Sequence, residues 1–294
     1  MAVRVARREL LPGRVAYTLP WLVAVGPAAL FTLLLLGIPS LVLLVLSVAE
    51  YRPPGGVILA LSLANYARIF RDPFYLEVAL NTLRVGAIVT LAALVFGYPI
   101  AYFLARSRSR LAAMMTGLVI APLFVSVVIR SFGWMVLLAR QGIVNSALLG
   151  LGFLHTRQQF LFTDAAVVIG LVHILSPFMI LPITAVLRGI DPAIEEAARN
   201  LGAGDLAVMR WIVLPLSLPG VVAGATLVYA MTISAFILPA MLGSIETKLM
   251  ATLLYQQVLV IADIPMGAAL AVGLVAMTLL MFWAINRIFG IRAW

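Results

Sequence analysis

The sequence predicts an all-α membrane protein that crosses a bilayer six times, with both termini in the cytoplasm. Three observations carry that prediction. Of 294 residues, 64% are apolar or aromatic and only 11% are charged, with a mean hydropathy of +1.14; soluble domains average roughly 45–50% and about 25%. Six intervals without Asp, Glu, Lys or Arg reach the length a membrane helix needs, about 20 residues. The cations between them are shared unevenly, which sets an orientation. This composition excludes a soluble enzyme, a disulfide scaffold and a disordered tail. There is no cysteine, hence no thiolate ligand or cysteine nucleophile. The two histidines, His155 and His173, form no ligand pair, so no metal site is expected.

In chain order the intervals are 15–49, 85–105, 111–129 (resuming after Arg130 to 139), 165–187, 211–245 and 264–286. The first and fifth hold 35 residues each. At about 1.5 Å per residue that exceeds the hydrocarbon core. Breaks are therefore expected near Pro20 or Pro27 in the first and near Pro215 and Pro219 in the fifth, with further breaks at Pro177 and Pro182 in the fourth. Three shorter apolar pieces, 53–67, 141–156 and 249–262, read as interfacial or re-entrant helices.

Orientation follows from the connections. Twelve cations lie in the tail before Val15, the 106–110 turn, the 188–210 loop and the C-terminal tail, against six on the other side: Arg52, Arg68, Arg71, Arg140, Arg157 and Lys248. Lys and Arg are enriched in cytoplasmic loops, so both termini are placed inside. The formal net charge of +9 thus reads as a topology device and not as a nucleic-acid footprint. Residues 1–14 form a basic cytoplasmic tail and 15–294 one transmembrane domain. The first apolar stretch is far longer than a signal-peptide core, so it reads as uncleaved.

The longest cytoplasmic connection, 188–212, is RGIDPAIEEAARNLGAGDLAVMRWI. Asp191 before Pro192 starts a helix, the carboxylate capping free amides and proline standing where no N–H is needed. Glu195 and Glu196 fall early, where the helix dipole favours negative charge. Ala197 and Ala198 leave a smooth face for close approach. Gly202 and Gly204 end the helix, and Asp205 is expected to cap a second short helix over 206–211.

Glu196-Ala197-Ala198, three residues, Gly202, nine residues, Ile212, one residue, Leu214-Pro215 resembles the EAA-x3-G-x9-I-x-LP signature of permease subunits of type I ATP-binding cassette importers. Every fixed position is matched. The resemblance extends over most of the chain, through Asn81-Thr82-Leu83 at the opening of the second span to IRSFG and GIVNSALLGLG after the third. That last stretch is similar in particular to the spermidine/putrescine permease subfamily. The resemblance implies the importer-permease fold and a coupling helix seated on a separate ATPase, contacted through Glu195, Glu196, Ala197, Ala198, Leu201, Gly202 and Asp205. It also implies a second, related permease subunit, two ATPase subunits and an extracytoplasmic substrate-binding protein, in a bacterial inner membrane. No cofactor is expected in this chain; ATP and magnesium would sit on the partner ATPase. A P-loop needs GK followed by Ser or Thr, and the only lysine, Lys248, lies between Thr247 and Leu249.

Polar groups within spans are costly and mark candidate pathway residues: Arg130, Trp134, Asp164, His173, Tyr229 and Phe236. Each also has a plainer reading. Arg84 and Arg130 can snorkel at the interface, His173 can be a satisfied helix–helix contact, and the three rings can be packing residues. On the sharper reading, Arg130 lies at the pathway or pairs with a carboxylate such as Asp164, and the rings flank a translocated cation. Asp164 suits a polyamine, whereas Arg130 suits a carboxylate-bearing solute such as an amino acid or opine-like compound. Gly97, Gly170, Gly220, Gly224 and Gly273 read as close-packing positions. An intramembrane enzyme using Asp191, Glu195 or Glu196 lacks a nucleophile or metal ligand on what reads as an exposed loop. A stand-alone secondary transporter lacks an internal repeat.

Overall fold

A computed structural model describes residues 18–52, 56–244 and 248–289; the basic tail 1–14 lies outside them. Six helical stretches among these residues are long and apolar enough to cross a membrane. Four are single helices: α1 (Thr18–Ser47), α3 (Pro73–Arg106), α7 (Asp164–Gly189) and α13 (Ile264–Phe289). The others are assembled from pieces. The third region comprises α4 (Arg110–Ile120), a 3₁₀ turn (Ala121–Phe124), α5 (Val127–Leu138) and α6 (Ile143–Gly150). The fifth runs without a break from α9 (Asp205–Val208) through a π turn (Met209–Val213) into α10 (Leu214–Ile233). Short helices complete the chain: α2 (Ala64–Arg71), α8 (Pro192–Asn200), α11 (Ile237–Leu242) and α12 (Met250–Tyr255), the last followed by a π turn (Gln256–Val260).

Several expected breaks are absent. Pro27 lies inside α1, where Pro39 is also accommodated, and Pro177 and Pro182 lie inside α7. In hydrocarbon a broken helix would strand many polar groups, whereas a proline forgoes one hydrogen bond, so continuity wins. Hydroxyls of Thr32 and Ser40 also donate back to Ala28 O and Leu36 O at 2.8 and 2.6 Å. In the fifth crossing the π turn directly before Pro215 makes room for its ring. The interval is divided at 234–236, beyond both prolines.

Other boundaries move as well. The helix of the second crossing begins at Pro73, twelve residues before the charge-free interval; its 34 residues, at about 1.5 Å each, exceed the hydrocarbon core, so its first turns with Glu77 and Arg84 need not lie in hydrocarbon. Asn81-Thr82-Leu83 is therefore inside the helix, not at its opening. Among the described residues of the piece 53–67, the helix starts at Ala64; before it β1 (Glu50–Arg52) pairs antiparallel with β2 (Gly56–Ile58), Tyr51 opposite Val57.

The core is the trio α3, α7 and α10, whose buried faces include Val89, Ala93, Leu104, Leu171, Met179, Ile183, Leu187 and Val228. Close approach of α7 to α10 depends on Gly220 and Gly224. A Cβ at Gly220 would stand 2.9 Å from Pro182 O, and one at Gly224 would stand 2.9 Å from the Met179 sulfur. At Gly273, by contrast, a Cβ would meet only Met250 Cε at 3.8 Å, so that position is not a close-packing one. A second cluster joins Tyr75 and Val78 of α3 to Met250, Leu253, Met266 and Leu270. There the Thr82 hydroxyl donates to Val78 O at 2.7 Å and accepts from Met250 N at 2.9 Å.

Candidate functional site

The loop between α7 and α10 is shaped by short-range bonds. Asp191 Oδ1 accepts from Ala193 N at 2.9 Å, and Pro192 opens α8. At the other end Gly202 adopts φ +89°. Ala203 N donates to Ala198 O at 3.0 Å and Gly202 N to Arg199 O at 2.9 Å, the two bonds of a Schellman turn. Gly204 is extended at φ −69°, ψ 160° and precedes α9 instead of ending α8. Asp205 is the first residue of α9 and does not cap it; its Oδ1 accepts from Arg199 Nε at 2.9 Å. That bond, together with the charge behind it, raises the Arg199 pKa above its ordinary value.

Glu196, Ala197, Leu201, Gly202 and Asp205 are exposed, and Ala198 is half-buried against the core. Leu201 is 89% exposed, and Leu206 of α9 and Trp211 of the following π turn are also exposed apolar residues. The periodic pattern did not single out Leu206 or Trp211, since in a segment expected to be a short helix leading into a crossing an apolar residue carries no sequence signal of its exposure.

Glu195 departs from the exposed-loop reading. Its side chain is 4% exposed, and its Oε1 receives Arg106 Nε at 2.8 Å with Arg106 Nη2 at 2.6 Å. Its Oε2 accepts from the Tyr102 hydroxyl at 2.9 Å and lies 3.7 Å from Arg199 Nη2. Arg106 Nη1 donates to Leu187 O and Ile190 O at 2.9 and 3.0 Å.

Of the intramembrane candidates, the structure brings Arg130, Trp134 and His173 together. Trp134 Nε1 donates to His173 Nδ1 at 3.3 Å, with the rings edge to face at 5.6 Å. Arg130 Nε and Nη1, on α5 one turn before Trp134, are buried without a hydrogen-bond partner among the described residues. Asp164 does not join them. It opens α7, nine residues before His173, which is about 13 Å along a helix; among the described residues it forms no ion pair with Arg130. Tyr229 packs against Gly86 and its hydroxyl donates to Leu83 O at 3.4 Å.

Phe236 stacks on Tyr255 at 5.4 Å and 17°. Phe236 borders an apolar cavity of about 240 Å³ with Val127, Ile174 and Leu238. Tyr255 borders a second cavity of about 260 Å³ with Lys248, Thr252 and Gln256. Tyr255 was not a sequence candidate, because nothing local announces that a ring on α12 meets one beside α11.

The chain matches the family described as binding-protein-dependent transport system inner membrane component over residues 93–291. It is 36% identical over 267 residues to the spermidine/putrescine transport system permease protein PotB of Salmonella typhimurium (strain SL1344), covering 90% of this chain and 91% of that protein. To the inner membrane ABC transporter permease protein YdcU of Escherichia coli (strain K12) it is 31% identical over 221 residues, covering 71% and 70%. In fold it is similar to a chain of a bacterial ABC transporter involved in the import of the acidic polysaccharide alginate, with a TM-score of 0.71, 19% identity and coverage of 94% and 98%. With six apolar crossings, an intact EAA loop and relatives matching along nearly its whole length, the chain belongs to the binding-protein-dependent inner membrane permease family of ATP-binding cassette importers.

Proposed function

We propose that this chain forms half of the translocation pathway of an ATP-driven importer whose cargo is a polyamine, spermidine or putrescine. The observation that carries the cargo is the 36% identity to PotB over nine-tenths of the chain. The coupling half of the proposal is supported by α8, which presents Glu196, Ala197, Leu201 and Gly202 to solvent on a helix whose own ends are already satisfied. Such a surface is available to a partner. The partners are a second EAA-bearing permease, two ATPase subunits that hold ATP and magnesium, and an extracytoplasmic substrate-binding protein. Both termini and the α8 loop face the cytoplasm of a bacterial cell.

In this reading ATP draws the ATPase dimer together, the two α8 loops approach, and the helical bundles rock from inward- to outward-facing. Nucleotide acts only through its different affinity for the two states. A second reading keeps the importer and changes the cargo to an amino acid or opine-like compound; the unpaired Arg130 nitrogens beside Trp134 and His173 favour it.

The test is uptake of labelled spermidine into proteoliposomes holding this chain with the permease, ATPase and binding protein encoded beside it. ATP-dependent accumulation is expected, reduced at least about tenfold by Glu196→Lys, a change in coupling of the usual allosteric size. Uptake indifferent to Glu196→Lys would overturn the coupling role. Uptake of carboxylated solutes alone would overturn the polyamine and leave the permease standing.

A further inference from the structure

We propose that Glu195 is a positioning residue which, with Arg106 and Tyr102, locks α8 to the ends of α3 and α7, so that a displacement of α8 is carried directly into the helical core. The proposal rests on the permease reading above and assigns the buried face of the same loop. Successive residues on a helix point about 100° apart, and here they divide two tasks. Glu196 is exposed on the outer face, while Glu195, one position before it, is buried.

Arg106 ends α3, and its one guanidinium ties that helix to two others. Nε and Nη2 hold the Glu195 carboxylate of α8 at 2.8 and 2.6 Å. Nη1 takes Leu187 O and Ile190 O, carbonyls at the end of α7 where intrahelical donors run out. Tyr102, one turn earlier on α3, occupies the second carboxylate oxygen, and Arg199, one turn later on α8, links it onward to Asp205 of α9. A neighbouring tie of the same kind runs from Arg188 Nη2 to Leu104 O at 3.2 Å.

The covalent path from α7 to α8 is only Ile190 and Asp191, whose rotatable backbone angles let α8 swivel without moving α7. The charge-assisted contacts of Glu195, on the buried face of α8, remove that freedom. Because α3 and α7 pack on each other and on α10, whatever moves the locked unit moves the central trio.

The proteoliposome system tests this with two measurements. A photo-crosslinking amino acid at Leu201 reports docking on the ATPase, and the ratio of solute imported to ATP hydrolysed reports transmission. For Glu195→Gln the crosslink is expected to persist while the ratio falls about tenfold; for Tyr102→Phe, which keeps the ion pair, the fall is smaller. Glu196→Lys is expected to lose the crosslink itself. An unchanged ratio in both Glu195→Gln and Tyr102→Phe overturns the proposal, as does loss of the crosslink in Glu195→Gln, which would make Glu195 a docking contact. If Glu195→Gln does not assemble, Tyr102→Phe alone decides. Absence of both crosslink and ATP-driven uptake in the unaltered chain would instead overturn the permease reading.

Discussion

Asp191 and Gly202 bracket α8 with two local devices, a carboxylate on the first free amides and a residue turned left-handed at φ +89°. Nothing lies within 4 Å of a Cβ built at Gly202, so the backbone angle is the whole constraint there. Asparagine visits that region and a β-branched residue resists it. Gly202→Asn is therefore expected to keep amide-exchange protection in α8, while Gly202→Val loses it at a cost of about 1–2 kcal/mol; equal exchange in both variants would refute the angle argument. Both caps were legible in the sequence because their bonds close within five residues. Glu195 was not, since Arg106 stands 89 residues earlier and periodicity says nothing about such a meeting. Nor could charge alone pair the intramembrane residues correctly: Arg130 on α5 and Asp164 at the start of α7 are opposite in sign yet form no ion pair among the described residues, and the residue that meets Trp134 is His173.

Counting charge-free intervals found the six crossings and misjudged their edges and joints. It failed where a charge sits on an exposed face of a helix, as Glu77 and Arg84 do on α3, and where proline was read as a break in a medium that penalises breaks. The third region shows the opposite error. An apolar run that reads as one helix is divided by the 3₁₀ turn around Pro122 and by Val125 and Ser126. The small-residue positions separate cleanly into packed and free. Gly220→Val places a branched side chain where even a Cβ meets backbone at 2.9 Å, an overpacking expected to cost about 1–3 kcal/mol and to lower the thermal midpoint in detergent. Gly273→Ala is expected to leave that midpoint unchanged. Thr82→Val keeps the shape but removes the acceptor for the buried Met250 amide, a loss of about 1–3 kcal/mol visible in the same melting measurement.

At the scale of the whole molecule, composition made the fold class plain, because a chain that is 64% apolar has no soluble way to hide so much surface. Orientation is the part that rests on charge counting. The absence of cysteine makes its test direct: Arg108→Cys and Arg157→Cys are both at exposed positions predicted to lie on opposite sides. A membrane-impermeant maleimide added to whole cells is expected to label the second and spare the first. The reverse pattern would invert the topology and with it the assignment of α8 to the ATPase side. What composition could not supply is which crossings touch, and here the answer is that the second, fourth and fifth form the centre while α1 packs on α13 at the side.

The Arg106 lock also has a bearing on how the chain is made. All of its partners, Leu187, Ile190 and Glu195, are synthesised 81 to 89 residues after Arg106 itself. While the ribosome is still feeding out the third and fourth crossings, the end of α3 carries a guanidinium whose final company does not yet exist. Water at the membrane surface must serve in the interval, which it can do because that end of the helix borders the headgroups. The second crossing is thus finished only when the fourth has been inserted and its loop has folded back. A chain that stops short of Glu195 therefore lacks, besides α10 of the central trio, the carboxylate that Arg106 holds in the completed subunit.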